Sequence, residues 1–139
     1  MTEKLTIPFL FNAPVERVWQ GLTDPALVKQ YFFGTNLIST WQKGSPILFR
    51  GEWQGKTYED KGTILSIEAP RHLSYNYWSS MSGEPDLPEN YMTLTFDLSV
   101  KDGATELILT QETTPEKKEH SASNWKMVMD GLKKLIEKA

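Results

Sequence analysis

Apolar and polar residues alternate from Leu5 to Phe11, so the apolar side chains share one side of an extended segment. This period of two predicts a half-buried β-strand. Pro8 lies within the segment. Because proline has no N–H to donate to a neighbouring strand, we expect this strand at an edge of its sheet or at a bulge.

Two short amphipathic helices are predicted next, and they meet at Thr23-Asp24-Pro25. Pro14 suits the first position of the first helix, because its ring already holds the helical φ. Asp24 followed by Pro25 is a second helix-start signal. Each helix has about two or three turns, too few to be stable alone, so both must pack on a sheet. The two apolar faces consist of Val15, Val18, Trp19 and Leu22, and of Leu27, Val28, Tyr31 and Phe32.

The period of two returns from residue 36 to about 112, with turn residues at intervals. Because the connections are mostly short, consecutive strands should pair antiparallel. Gly51 and Gly62 lie inside strands and suggest bulges or bends. Two longer connections, 79–90 and 113–123, have a length more typical of functional or mobile loops. The six predicted strands cover residues 37–41, 47–53, 57–67, 72–78, 91–100 and 105–112.

The chain ends with the longest predicted helix, over residues 124–139. Gly131 interrupts it at a cost of roughly 1 kcal/mol relative to alanine, which suggests that another backbone approaches closely there. The mixed-charge run before this helix is expected to be solvated, with Thr114, Ser121 and Ser123 as candidate N-caps. The apolar stripe of the helix consists of Trp125, Val128, Met129, Leu132, Leu135 and Ile136.

Composition excludes several classes of function. The 139 residues are in the size range of one domain, so we expect residues 1–139 to form a single one. A formal net charge of −3 leaves no excess of basic residues for phosphates, so nucleic acid is a poor partner. The absence of cysteine excludes disulfides, thiolate zinc sites and a cysteine nucleophile. No run of about 18 apolar residues occurs, so we expect a soluble, cytoplasmic protein without stable membrane insertion.

Aromatic residues make up 12% of the chain, including five Trp and five Tyr. So many large rings in a small domain either fill a bulky core or line a cavity. Tyr and Trp also carry polar tips that need hydrogen-bond partners when buried. This requirement favours a cavity in which water or a polar ligand is available.

The order of these elements resembles the START/Bet v 1-like (SRPBCC) superfamily, through the segments APVERVW, LTDP, KGSPILFRGEW, YEDKGTIL, EAPRHLSYNYW and NWKMVMDGLKKLIE. Within it, the chain is similar to the C-terminal domain of the activator of heat-shock-protein-90 ATPase homologue family, over about residues 5 to 138. The resemblance implies an α+β helix-grip fold. In that fold a curved seven-stranded antiparallel sheet surrounds the long C-terminal helix, and the two short helices after strand 1 close one end. The family commonly keeps an apolar cavity between sheet and helix.

Strand alternation selects the side chains that would line such a cavity, because every second residue faces the same side of a strand. The 79–90 connection is a candidate lid over it. We expect no cofactor and no metal ion. The predicted ligand-binding residues are Trp41, Phe49, Trp53, Tyr58, Tyr75, Tyr77, Met92, Trp125 and Met129.

The sequence offers little support for catalysis. His72 and His120 are expected to be solvated surface residues, and their placement matches no metal-binding spacing. No G-x-S-x-G, H-E-x-x-H or glycine-rich phosphate motif is present, which argues against nucleophilic and zinc chemistry. Asp60 is the one acid–base candidate, because it should face the interior. The alternative is an ion pair at a strand end with Lys61 or Lys56.

The preferred interpretation is a protein that binds a small, mostly hydrophobic molecule, such as a lipid, between sheet and helix. One alternative is a protein–protein module that contacts a chaperone. That family name comes from larger proteins with an additional N-terminal domain, so the resemblance does not imply ATPase stimulation. A further alternative is a cyclase- or hydrolase-like enzyme on the same fold, for which fold analogy alone is no warrant.

Overall fold

The computed structural model describes residues 3–31, 34–53, 55–79 and 85–137. Three helices and seven strands follow one another in the predicted order, with a short 3₁₀ turn at Pro88–Asn90. The elements are β1 (Glu3–Phe11), α1 (Val15–Thr23), α2 (Pro25–Tyr31), β2 (Asn36–Ser39), β3 (Pro46–Trp53), β4 (Lys56–Glu68), β5 (His72–Tyr77), β6 (Met92–Lys101), β7 (Ala104–Thr113) and α3 (Pro115–Ile136).

All seven strands belong to one antiparallel sheet with the order β1-β7-β6-β5-β4-β3-β2. Only the pairing of β1 with β7 joins strands distant in sequence. The first strand therefore lies at an edge, as Pro8 predicted, and Pro8 itself is exposed there opposite Ile108. The curved seven-stranded sheet and the C-terminal helix confirm the α+β helix-grip fold.

The core lies between the concave face of the sheet and α3. Alternate residues of the strands point into it, as on β7, where Leu107 and Leu109 are fully buried. The stripe on α3 supplies the opposite wall, with Val128, Met129 and Leu132 almost completely buried. Burying such side chains contributes about 1.5–3 kcal/mol each, which is why the long helix is held against the sheet.

The α1–α2 pair closes one end of this core. Asp24 caps α2 as predicted, accepting a hydrogen bond from the backbone N–H of Ala26 at 3.0 Å. The Tyr31 hydroxyl donates to the carbonyl oxygen of Gly21 at 2.7 Å and so ties α2 to α1. Arg17 Nε donates to the carbonyl oxygen of Ile136 at 2.6 Å, which anchors the pair to the end of α3.

Two predicted boundaries are wrong. Residues 113–123 do not form a loop, because β7 ends at Thr113 and α3 begins at Pro115. Proline at the start of a helix is favourable, and here Thr114 is the N-cap residue. Ser121 and Ser123 therefore lie inside the helix and are not caps. Pro14 is the N-cap of α1 and not its first helical residue.

The strand glycines permit close contacts and not the bulge expected of them. A Cβ on Gly62 would overlap the carbonyl oxygen of Asn76, and Gly51 leaves room for the ring of Tyr58. The bulge lies between Ile64 and Ser66, where β4 slips by one residue against β5. Gly131 faces Tyr31, whose Cβ would lie 3.4 Å and whose carbonyl oxygen would lie 3.8 Å from an added Cβ, so the neighbouring backbone is in ordinary contact and is not unusually close.

No helix in the described ranges is long and apolar enough to cross a membrane.

Candidate functional site

A cavity of about 590 Å³ lies between the first part of α3 and the concave face of the sheet. This volume is in the range that holds small ligands in proteins. Exposed residues such as Met127 border it, so the cavity opens to solvent along α3. Its lining consists of Thr35, Phe49, Tyr58, Asp60, Tyr75, Tyr77, Leu94, Gln111, His120, Ser121, Asn124, Trp125 and Met127.

A row of four aromatic rings lies beside the cavity, and three of them, Phe49, Tyr75 and Trp125, line it. The ring centroids of Phe49 and Tyr75 are 5.8 Å apart, and Phe96 follows 6.1 Å from Tyr75. Trp125 on α3 completes the row, 6.0 Å from Phe96 in an edge-to-face arrangement. These separations are typical of stabilising aromatic pairs, so the rings hold one another in place without filling the space beside them.

Some of the polar tips in this wall have protein partners. Trp125 Nε1 donates to Gln111 Oε1 at 2.7 Å, and the hydroxyls of Thr35 and Tyr58 are hydrogen-bonded at 2.6 Å. For Trp125 and Tyr58, the hydrogen-bond partner is therefore another side chain of the protein, and not the water or ligand expected from the sequence. Both bonds also fix the orientation of a cavity-lining ring.

The hydroxyls of Tyr75 and Tyr77 differ, since neither has a hydrogen-bond partner among the described residues. No fully buried side-chain nitrogen or oxygen in the described ranges is unpaired, so these two hydroxyls must border open space. Burial raises the pKa of Tyr75 well above the usual value for tyrosine, and the neighbouring Tyr77 raises that pKa further. Burial also raises the pKa of Tyr77, with the negative charge of Asp60 as the second cause. Both phenols therefore stay protonated and can donate to a ligand.

This arrangement predicts a loss of stability at alkaline pH. Tyrosines whose folded-state pKa is raised bind their protons more tightly in the folded than in the unfolded chain, so their contribution disappears as pH rises above about 10. We expect the free energy of unfolding, measured with urea at a series of pH values, to fall above that pH. Replacing both Tyr75 and Tyr77 with Phe should make the fall shallower, and an unchanged slope would contradict this account.

Asp60 is the only residue of the cavity lining, within the described ranges, that is charged at neutral pH; neither Lys nor Arg lines it. Arg50 lies on the other face of the sheet and binds Glu59 at 2.5 Å. Lys61, proposed as an ion-pair partner for Asp60, instead binds Asp86 at 2.6 Å. The cavity thus presents a carboxylate next to aromatic surface.

The structure brings some of the predicted site residues together around the cavity. Five of them and Asp60 line the cavity. Trp41 and Met129 line a smaller void of about 20 Å³ deeper in the core, next to α2. Met92 lines neither space, and the side chain of Trp53 lies outside the described residues, as do residues 80–84 of the candidate lid. The five that line the cavity are Phe49, Tyr58, Tyr75, Tyr77 and Trp125.

Sequence reasoning missed the polar residues of α3 that border the cavity. They are the exposed His120 and Ser121, which it assigned to a loop, and Asn124, which it placed at the start of the predicted helix without assigning it to the cavity. Their spacing of three to four residues is the helical signal that could have revealed them. His72 is also placed differently from the prediction of a solvated residue: both of its ring nitrogens are hydrogen-bonded.

Comparison with known proteins agrees with this geometry. The family model described as Activator of Hsp90 ATPase homolog 1-like protein matches residues 12–137. The chain belongs to this family. None of the curated proteins compared matches the chain significantly.

Several solved structures share the fold. The solution structure of ChR145 from Cytophaga hutchinsonii is 42% identical, covers 97% of this chain and 94% of its own, and superposes with a TM-score of 0.85. CalU16 from Micromonospora echinospora is 25% identical over 99% of this chain and 78% of its own, with a TM-score of 0.76. CV1439 from Chromobacterium violaceum is 19% identical over 98% of both chains, with a TM-score of 0.78, and shows the fold alone.

Proposed function

We propose that this family member binds a small hydrophobic molecule in the cavity between the sheet and α3, and that the polar end of this molecule is neutral or cationic. The observation that carries the proposal is the combination of an aromatic wall with one carboxylate and no basic side chain in the described lining. We treat residues 1–139 as one domain for this purpose. The lack of cysteine is consistent with activity in the cytoplasm.

Apolar burial alone would give weak binding. A ligand that buries about 200 Å² of apolar surface gains about 5 kcal/mol at roughly 25 cal/mol/Å². Association then costs several kcal/mol in lost freedom of motion, which leaves a dissociation constant of about millimolar to high micromolar. A ligand of useful affinity must therefore also make polar contacts.

The polar groups of the cavity favour a particular kind of ligand. The hydroxyls of Tyr75 and Tyr77 can donate to a carbonyl or alcohol oxygen, while Asp60 accepts hydrogen bonds and attracts a cation. Two opposite charges about 5 Å apart interact by about 3 kcal/mol at an effective dielectric constant of about 20. Solvent at the open side and the interaction that Asp60 already makes within the protein reduce this, so we expect a net preference of about 1.4 kcal/mol, or tenfold, for an amine over a matched alcohol.

A matched series of naphthalene derivatives tests this preference by isothermal titration calorimetry at neutral pH. We expect naphthylethylamine to bind about tenfold more tightly than naphthylethanol, and naphthylacetate to bind more weakly than either. In Asp60→Asn the amine and the alcohol should bind within about threefold of each other, since the attracting charge is gone.

The titration distinguishes a wrong cavity proposal from a wrong assignment of the ligand's polar end. If none of the three compounds binds, the cavity proposal itself is wrong. If all three bind but naphthylacetate is tightest, or the order is unchanged in Asp60→Asn, the cavity binds ligands and the assignment of the polar end is wrong.

A second candidate function is contact with a chaperone, which the family description favours. Such contact would use the surface of the domain and not its interior. Association with a purified chaperone of the Hsp90 type should then be unaffected by substitutions inside the cavity. Loss of association in a cavity variant that remains folded would contradict a surface contact.

A further inference from the structure

A polar cluster lies on the outer, convex face of the sheet, opposite the cavity. Ser66 on β4, His72 on β5 and Asp97 on β6 occupy three adjacent strands. Ser66 Oγ is 2.7 Å from His72 Nε2, and His72 Nδ1 is 2.6 Å from Asp97 Oδ1. His72 is the direct cross-strand neighbour of Asp97 in the β5–β6 register, so backbone pairing holds these two side chains together.

The β-bulge in β4 brings Ser66 into this cluster. Strict alternation would place Ser66 on the same face as Ile64, which is fully buried in the core. Because the register slips between Ile64 and Ser66, Ser66 pairs with Ser74 and shares the outer face with His72. Bulges that redirect a side chain in this way are common next to functional sites.

The hydrogen bonds orient the imidazole of His72. A carboxylate can only accept, so the hydrogen on Nδ1 points to Asp97, and in the neutral imidazole Nε2 carries the lone pair. The Ser66 hydroxyl then donates to Nε2. A hydroxyl, a histidine and a carboxylate connected in this order are the arrangement that activates serine for nucleophilic attack, and it is recognised by geometry and not by sequence motif.

A groove of about 570 Å³ gives access to the cluster. Besides the three residues, it is lined by Lys43 and Arg71, with Glu68, Ile67 and Leu98 completing the wall. The backbone carbonyl of Arg71 accepts a hydrogen bond from Leu98 N–H at 2.7 Å, which fixes the Arg71 turn beside β6. The charges of Lys43 and Arg71 offset those of Glu68 and Asp97 in this lining, and either cation can stabilise the oxyanion that forms during acyl transfer.

We propose that this outer groove is an acyl-transfer site for small esters. Ser66 Oγ bonds to the ester carbonyl carbon while its proton moves to His72 Nε2. The carbon–oxygen bond to the alcohol then breaks, and His72 returns the proton to the departing alcohol. A water molecule, deprotonated by the same nitrogen, cleaves the acyl-serine and regenerates the site. Asp97 is a positioning residue, which holds the histidine tautomer and stabilises its cationic form.

The solvent exposure of the cluster sets the expected rate. The side chain of Asp97 is 55% exposed and that of His72 is 29% exposed, so water weakens the hydrogen bond between them. We therefore expect slow turnover and an acyl-serine that accumulates with an activated ester.

The test uses p-nitrophenyl succinate, an activated ester with a free carboxylate, and mass spectrometry of the intact protein and its peptides. We expect one acyl group per chain, located on Ser66, and no acylation at that site in Ser66→Ala. Ser99→Ala is the matched control, because Ser99 is an exposed serine two residues from Asp97 on the same strand; it should be acylated like the parent protein. His72→Gln should slow acylation about 100-fold or more.

Three results would overturn the proposal. They are acylation of Lys43 in place of Ser66, equal acylation in Ser66→Ala, and an acylation rate in His72→Gln equal to that of the parent protein. Thermal unfolding of each variant establishes that it is folded. Rescue gives a readout that a merely structural role would not produce: Asp97→Asn should slow acylation, and Asp97→Glu should restore part of the rate.

Discussion

Gly62→Ala is expected to destabilise the protein by about 3 kcal/mol or more, or to prevent folding. A Cβ at this position would overlap the carbonyl oxygen of Asn76 and lie 2.6 Å from its carbonyl carbon and 3.0 Å from Tyr77 Cα. All three atoms belong to the backbone of β5. They cannot rotate away as a side chain can, so β4 and β5 would have to separate in the centre of the sheet.

Gly51→Ala provides the matched comparison for this prediction. Its new Cβ would meet only the side chain of Tyr58, which can move at the cost of its hydrogen bond to Thr35. We expect a loss of about 1–2 kcal/mol, close to the value of one part-buried hydrogen bond and some strain. Urea unfolding of both variants measures the difference. Equal destabilisation would contradict the claim that contact with backbone is what makes Gly62 necessary.

The strands of the sheet could be predicted largely from the sequence. Alternation between apolar and polar residues identified every strand, because each strand buries one face and exposes the other. The proline in β1 correctly placed that strand at an edge, and the Asp24-Pro25 pair correctly marked the start of α2. These signals are local, so they can be read without knowledge of the tertiary structure.

The beginning of α3 could not be predicted in the same way. Its first turns lie beside the mouth of the cavity, where His120 and Ser121 meet open space and not the core. Without an apolar stripe, these turns have the composition of a loop. The helix there is stabilised by its continuation into the packed part after Trp125, which is a tertiary effect.

The bulge in β4 is a second feature that sequence patterns do not predict. It changes which face Ser66 occupies, although the residues on either side still alternate. A hydrogen-bonded group of Ser66, His72 and Asp97 depends on three strands and one slip of register. No short sequence motif contains that information, so the expectation of a solvated His72 missed its two hydrogen bonds.

The cavity was predicted from the aromatic content of the chain and from the polar groups of its Tyr and Trp side chains. The structure changes which of these polar groups face a ligand. The tips of Trp125 and Tyr58 are bonded within the protein, so they orient the wall and need no ligand. The hydroxyls of Tyr75 and Tyr77 can bind the polar end of a ligand, and Asp60 lines the same cavity. The two candidate sites lie on opposite faces of the same strands, so substitutions in one leave the other accessible to test.

Asn124→Trp is expected to abolish binding in the cavity. Asn124 is half-buried on α3 and lines the opening, so an indole there would occupy the space through which a ligand enters. Lys126→Trp is the matched control, because Lys126 is exposed on the same helix and does not line the cavity. Both changes place the same residue on the same helix, and surface substitutions of this kind usually alter stability by about 0.5 kcal/mol or less.

Isothermal titration of naphthylethylamine into these proteins tests the central claim most directly, namely that the space beside α3 receives a hydrophobic ligand. We predict saturable binding with one site per chain in the parent protein and in Lys126→Trp, and at least about a tenfold loss of affinity, 1.4 kcal/mol, in Asn124→Trp. Equal binding by all three proteins, or no binding by the parent protein, would contradict the claim.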